Sequence, residues 1–552
     1  MSGKGSWPTY HGEVNPRSDW KRSAVLRRMA FVAALGLLAV LVPSAAVAPA
    51  QAASAPVVKL VRSSLPTWWD VRTSFGVTVS GAIPPKSTLA LQAKAPGSSL
   101  WKTVASVPAV SSKAMSFIPS RSGVWQVRAN LITAGKGIIS TARSLTVQPA
   151  PVAPPAGTVA VGAWSVGVNE GFAESKPSKD FGSVRLWDAG VLWRNIETAA
   201  GVYDWSVLDA EVETARDRGQ KVVYVFGGTP TFYAVDKDKP GAYGPGSGQA
   251  PKDPADFRRF VDQVMARYGT TADHGHGMIE AYEAWTEMNY AGFWQGPAQT
   301  VADMTQAVHD AAVARAASTH ETRALVLAAS TTSPRCTHCL IPAFGQYLDA
   351  LAKYHWPVDA VSVHVYPTLA QDASGVVGLA GQMRRMLTER GASPTLPMWN
   401  TEVNLKASFV VGYTVAQPFT DAQVRSEFAK TVVWGLSSGM SRTHWYMWSS
   451  VNTAAAITLH EGTVATDTAN TLKSWLGGAV TMNSCVTSTT GVVTCQLTTA
   501  SKLRRWIAWS KSGTAKITMP IKIKTRKPLA GPNTTVASTI VSVGTEPVLL
   551  VP

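Results

Sequence analysis

The spacing of apolar residues changes twice along the chain. Between residues 57 and 148, runs such as SFGVTVSGAI, STLALQAKA, GVWQVRANLI and ARSLTVQP alternate apolar with polar positions, separated by Gly, Pro and Ser. A period of two is that of strands with one buried face, so this stretch predicts a small antiparallel β-sandwich of immunoglobulin-like type. PAPVAPPAG (149–157) breaks the alternation and reads as a semi-rigid linker. From 158 to 478 the rhythm becomes short apolar runs alternating with helical periodicity. The strand candidates are WSVGVN (164–169), SVRLWD (183–188), KVVYVFGG (221–228), IEAYEAW (279–285), ALVLAAS (324–330), AVSVHVYP (360–367), PMWNTEV (397–403) and RTHWYMWS (442–449). Between them lie amphipathic helices with readable ends. DPADFRRFVDQVMARYG places Asp253 as N-cap, Pro254 in the first turn and Gly269 at the stop. Eight strands with alternating helices over this length predict an α/β fold, a (β/α)8 barrel rather than an open sheet. From 479 to 552 helical periodicity is lost, and RRWIAWS, AKITMPIKI, TTVASTIVSV and EPVLLVP predict a second β-sandwich.

The first 52 residues stand apart. WKRSAVLRRMA is basic, AFVAALGLLAVLV (30–42) is apolar throughout, and APAQAASAP supplies small residues. That order is the one found in a secretory signal peptide, and the apolar run is short for a bilayer span; a signal anchor is the other reading. The expectation is export, with no integral span after cleavage. Six of the 51 Lys/Arg and two of the 35 Asp/Glu fall in this segment, so the formal charge of +16 becomes +12 without it. Such a surface suits anionic partners, for example cell-wall polymers, or is simply solvated. A nucleic-acid partner is not expected, since no binding motif is present, and no glycine-rich phosphate loop follows the first strand.

Four cysteines form two close pairs. Cys485 and Cys495 bracket VTSTTGVVT, which reads as a hairpin turning at Thr490-Gly491. Cys336 and Cys339 form CTHC. In an oxidising compartment both pairs suit local disulfides, and half of a zinc site with His338 is the alternative for CTHC.

The chemistry sits at two strand ends. AYEAWTEMNYAGFWQG (281–296) and PMWNTEVN (397–404) each place a glutamate beside Trp and Asn after an apolar run. In a barrel the strand C-termini converge on one face, so Glu287 after strand four and Glu402 on strand seven would meet there. Two carboxyl groups about 5 to 5.5 Å apart suit retaining glycoside hydrolysis. Twenty Trp in 552 residues fit either sugar stacking or large cores.

YEAWTEMNYAGFWQG resembles the strand-four motif of the retaining glycoside hydrolases of clan A, particularly family 39 and its neighbours. There the segment commonly reads W-N-E-x-N with a downstream F-W. MWNTEVN is similar to their strand-seven nucleophile segment, and RLWDAGVLWRNIETAAGVYDWSVLDAEVETARDRGQKVVYVFGGTP (185–230) to the stretch that opens these barrels. The resemblance implies Glu287 as acid/base and Glu402 as nucleophile. It further implies Arg185 holding Glu402 ionised by lowering its pKa, Tyr366 orienting it, His364 lining the site, Trp294 near the sugar and Trp448 flooring the sugar subsite. An ordinary buried ion pair for Arg185 and a core histidine for His364 are the plainer alternatives. One position departs from the pattern: Thr286 stands where relatives carry the Asn that contacts the sugar 2-hydroxyl. Either the substrate presents its hydroxyls differently, or Asn289 substitutes, or activity is weak. The resemblance implies a poly- or oligosaccharide substrate and no metal or organic cofactor. The rival reading is a glycan-binding or cell-wall adhesion protein on a degenerate barrel.

Overall fold

The computed structural model describes residues 54–61, 67–68, 73–117, 119, 123–148, 157–171, 180–269, 279–319, 322–332, 343–367, 372–405, 419–448, 457 and 459–552. Residues 1–52, with the expected leader, and the Cys336/Cys339 pair lie outside them.

Eight parallel strands close into a barrel. They are β1 (Val166–Glu170), β2 (Ser183–Leu186), β3 (Lys221–Val225), β4 (Ala281–Glu283), β5 (Leu325–Ala328), β6 (Ala360–His364), β7 (Met398–Val403) and β8 (Met440–Trp448). Each overlaps one of the eight apolar runs. Nearly every barrel-strand residue is buried, because one face meets the barrel axis and the other the surrounding helices, which is why the runs are continuous rather than alternating. The helix Pro254–Arg267 begins as its sequence dictates: the Asp253 carboxylate accepts from the Ala255 amide at 2.9 Å and Pro254 occupies the first turn. The helix Asp421–Ser437 carries a reciprocal cap between Thr420 and Gln423.

Along the axis the barrel is filled in layers. Val223, Ala281, Leu327, Ala360 and Trp399 pack together as a plug. Nearby, His444 is buried, with Nε2 3.1 Å from Ser183 Oγ. Gly167 makes room for it, since a Cβ there would lie 2.3 Å from the His444 ring. Burial, with Arg442 and Arg185 nearby, pushes the His444 pKa well down and keeps the ring neutral.

Antiparallel sheets flank the barrel. A three-stranded sheet (Val57–Val61, Thr73–Ser80, Ser112–Phe117) and a six-stranded one built on Thr88–Lys94 and Gly123–Thr133 enclose Phe75, Val77, Leu89, Leu91, Trp125 and Val127. Seven strands of the tail and one from elsewhere form an eight-stranded sheet. Its edge strand is Thr158–Ala160, antiparallel to Thr481–Asn483, so a segment that the apolar rhythm groups with the barrel pairs with the tail instead. Cys485 and Cys495 are disulfide-bonded across a hairpin in this sheet, and Gly491 at its turn has φ +78°. Among the described residues no helix is long and apolar enough to cross a membrane.

Candidate active site

The site grows from Arg185 on β2, which is fully buried. Its Nε and Nη2 bind the two oxygens of Glu283 at 2.8 and 3.0 Å. Nη1 donates to Glu402 Oε1 at 2.8 Å and Asn169 Oδ1 at 2.9 Å, and Nη2 also to Thr286 Oγ1 at 3.0 Å. A guanidinium has five N–H donors, and each here has an acceptor. Burial works against the charge, but Glu283 and then Glu402 outweigh it and push the Arg185 pKa up. The group is a fixed cation.

Glu402, near the end of β7, is held at both oxygens: Arg185 on Oε1 and the Tyr366 hydroxyl on Oε2 at 2.9 Å. A register shift between Val363 and His364 sets His364 opposite Glu402 across β6 and β7. His364 Nδ1 lies 3.0 Å from Glu287 Oε1 and 3.3 Å from Glu402 Oε2. Its Nε2 is buried without a hydrogen-bond partner, so the network places the ring proton on Nδ1, between the two carboxylates. Glu287 follows β4 with φ +38°, a left-handed backbone that costs energy for a side chain of this size. Its amide donates to Ser330 Oγ at 3.0 Å. One donor atom each from Glu287, His364 and Glu402 lies within 4.8 Å of the others. One imidazole nitrogen and two carboxylates are a donor set that could take a divalent cation, at the expense of the proton on Nδ1.

A third carboxyl group completes the mouth. Asp188, just beyond β2, accepts from Tyr446 on β8 at 3.0 Å and from Tyr243 in the loop after β3. Burial pushes the Asp188 pKa up, against its two tyrosine hydrogen bonds and Arg185, with Glu287 adding to the rise. The hydroxyls of Tyr243, Tyr366 and Tyr446 are all pushed well above their usual range, by burial first and then by neighbouring carboxylates, so they remain donors.

Arg185 pulls the Glu402 pKa down as expected, but the net shift is upward. Burial is the largest influence and pushes it up; His364 and Arg185 pull it down, and Glu287 and Asp188 push it up again. The physical reason is burial of the carboxyl group, which outweighs the pull of His364 and Arg185.

The structure therefore gathers Arg185, Thr286, Glu287, His364, Tyr366 and Glu402. Thr286 is turned to Arg185 and Ser330 and is only 1% exposed. Asn289 Oδ1 accepts from the Thr332 amide at 2.9 Å. The two expected sugar-facing tryptophans are core residues. Trp448 is completely buried, edge-on to Phe181 in the cluster that holds Leu472 and Trp475. Trp294 packs edge-on against Trp285, with Nε1 donating to the Pro297 carbonyl at 3.2 Å. Neither ring has a face free for a sugar. Glu283, Asn169, Asp188, Tyr243 and Tyr446 are site residues that the sequence reasoning passed over. A signal for Glu283 was present, since an acid inside an apolar strand requires a buried partner.

No protein-family model matches the sequence, and no curated protein matches it. Among solved structures, a putative glycoside hydrolase from Bacteroides vulgatus ATCC 8482 aligns over 88% of this chain and 99% of its own, with 12% identity and a TM-score of 0.39. A 4-O-α-L-rhamnosyl-β-D-glucuronidase from Fusarium oxysporum 12S aligns over 73% of this chain and 99% of its own, at 13% identity and TM-score 0.43. A β-glucuronidase from Ruminococcus gnavus, in complex with D-glucuronic acid, aligns over 76% and 67%, at 8% identity and TM-score 0.31. These neighbours are glycoside hydrolases, but at such identities and TM-scores the likeness carries no argument about chemistry, which rests on the residues of the site.

Proposed function

We propose that the protein is an exported retaining glycoside hydrolase acting on a poly- or oligosaccharide. The observation that carries the reading is the pairing of a doubly anchored Glu402 with a second carboxyl group, Glu287, an oxygen of each lying within 4.8 Å of the other. That spacing suits double displacement, in which no water stands between the carboxylates during the first step.

A Glu402 oxygen attacks the anomeric carbon, and the bond to the leaving oxygen breaks as Glu287 delivers its proton there. The covalent glycosyl ester is then opened by water, which gives a proton back to Glu287 while the bond to Glu402 breaks. Arg185 and Tyr366 fix the attacking carboxylate, so little reorganisation accompanies attack. His364 Nδ1, between the two glutamates, fixes them relative to each other. Asp188, held by Tyr243 and Tyr446, supplies a further carboxyl group for sugar hydroxyls at the mouth. Export is inferred from the leader-like order of residues 1–52.

The test is the stereochemistry of the first-formed product. NMR of an aryl glycoside digest should show the substrate's own anomer before mutarotation, and chelator should leave the rate unchanged. The opposite anomer would replace retention by inversion. Loss of activity on chelation would transfer the chemistry to a metal held by Glu287, His364 and Glu402.

A further inference from the structure

The opposite end of the barrel carries a different set of charges. There, between the strand starts and the tail sheet, lies a cavity of about 470 Å³, within the range of small-molecule sites. Arg384, Arg442, Trp164, Trp399 and Asp359 are among its lining residues. Two of these three charges are accounted for. Asp359 is bound by Arg323 at 2.5 and 2.9 Å and by the Val326 amide. Arg442 lies between the rings of Trp399 and Trp164, 3.9 and 4.7 Å from their centroids, and pairs with Glu280 at 2.7 Å, close as an ion pair though not aligned as a hydrogen bond.

Arg384, from the helix Gly375–Thr388, is not accounted for. It is 4% exposed, and Nη1 donates to the Leu396 carbonyl at 2.6 Å. Its Nε has no acceptor, and among the described residues it has no ion-pair partner. Burial lowers its pKa with no opposing influence. A buried guanidinium without an anion is unfavourable and is normally met by a carboxylate or phosphate from some source.

We infer that this cavity is a binding site for a small organic monocarboxylate with a planar, apolar body. The single uncompensated charge calls for one negative charge. A guanidinium in the cavity wall matches a carboxylate. The indole of Trp164 and the walls formed by Val159, Leu325 and Pro397 suit a ring more than a polyanion. The site lies at the strand starts, away from Glu287 and Glu402, and does not depend on the glycosidase reading.

Benzoate is the probe, titrated calorimetrically into the full-length protein, with inorganic phosphate at matched ionic strength in a parallel run. Benzoate should bind saturably at one site, and Arg384→Met should weaken it about tenfold or more, as expected for losing a charged hydrogen-bond partner. Ser441→Asp, which brings a carboxylate into the same cavity, should abolish binding and keeps the test open should Arg384→Met fold poorly. The unliganded Arg384→Met protein should melt no lower than wild type, because it loses an uncompensated charge; a structural arginine would give a lower Tm. Benzoate that does not saturate, binding that survives both substitutions, or phosphate binding in its place would each overturn the inference.

Discussion

Arg185 and Arg384 are both buried guanidiniums on the same barrel, and they are treated in opposite ways. Around Arg185 all five donors are taken, by two glutamates, an asparagine and a threonine. Around Arg384 the structure provides one backbone carbonyl. The first is a closed network whose charge is already matched, so it can hold Glu402 in place but has no donor left for a substrate. The second has donors left over and, among the described residues, no anionic partner, which is the condition of a group that waits for a ligand. Burial alone distinguishes nothing between them; the count of satisfied donors does.

The sharpest way to break this contrast is at Glu402, which is an acceptor for Arg185 and, in the proposed mechanism, the attacking group. Glu402→Ala should lower kcat on the order of 10⁵-fold, the scale of losing a nucleophile. Glu287→Ala should lose roughly 10²- to 10⁴-fold on poor leaving groups, less on activated aryl glycosides. Azide should rescue it with a glycosyl azide of retained configuration. Rescue of Glu402→Ala with retention instead would exchange the two roles.

Next in size is the comparison of the two arginines themselves. Arg185→Met leaves Glu283 and Glu402 buried without their cation and should cost about 3–5 kcal/mol of stability by denaturant unfolding. Arg384→Met should cost nothing. Equal losses would show that both residues are structural. Smaller is Asp188→Asn, which keeps the shape of the mouth but removes a charged acceptor. An approximately tenfold fall in kcat/KM, with the Tm held, is the expected result; a loss of Tm alone would make Asp188 only an anchor for Tyr243 and Tyr446.

The smallest effect is on pH dependence. The folded environment raises the Glu402 pKa, so the folded state holds that proton more tightly than the unfolded state does. Stability therefore falls as pH climbs from the ordinary glutamate value of about 4.3 through the raised folded one. Glu402→Gln has no proton to lose there, and its Tm should gain on wild type across that window. The reverse trend would mean that Arg185 and His364 outweigh burial.

The barrel was legible because its eight strands are short apolar runs that only a doubly covered parallel sheet needs. The two glutamates were legible because each stands where such a run ends. Glu283 was passed over because it lies within its strand, and its role exists only through Arg185, 98 residues away in sequence. The tryptophans misled for a related reason. Composition shows how many indoles a chain has, but whether a ring faces a cleft or a helix is settled by register, and Trp448 faces Phe181. The departure at Thr286 was visible as a letter, while its turn toward Arg185 required the fold.

The strand Thr158–Ala160 has a consequence for synthesis. Ala160 pairs with Thr481, made 321 residues later, which at roughly 5–20 residues per second is a wait of roughly 16–64 s. The entire barrel must be translated before its entry strand meets a neighbour. A long exposed strand left open for that time would be a template for other nascent chains. Three residues are too few to serve as one, so the shortness of this edge suits the order in which the ribosome delivers the parts.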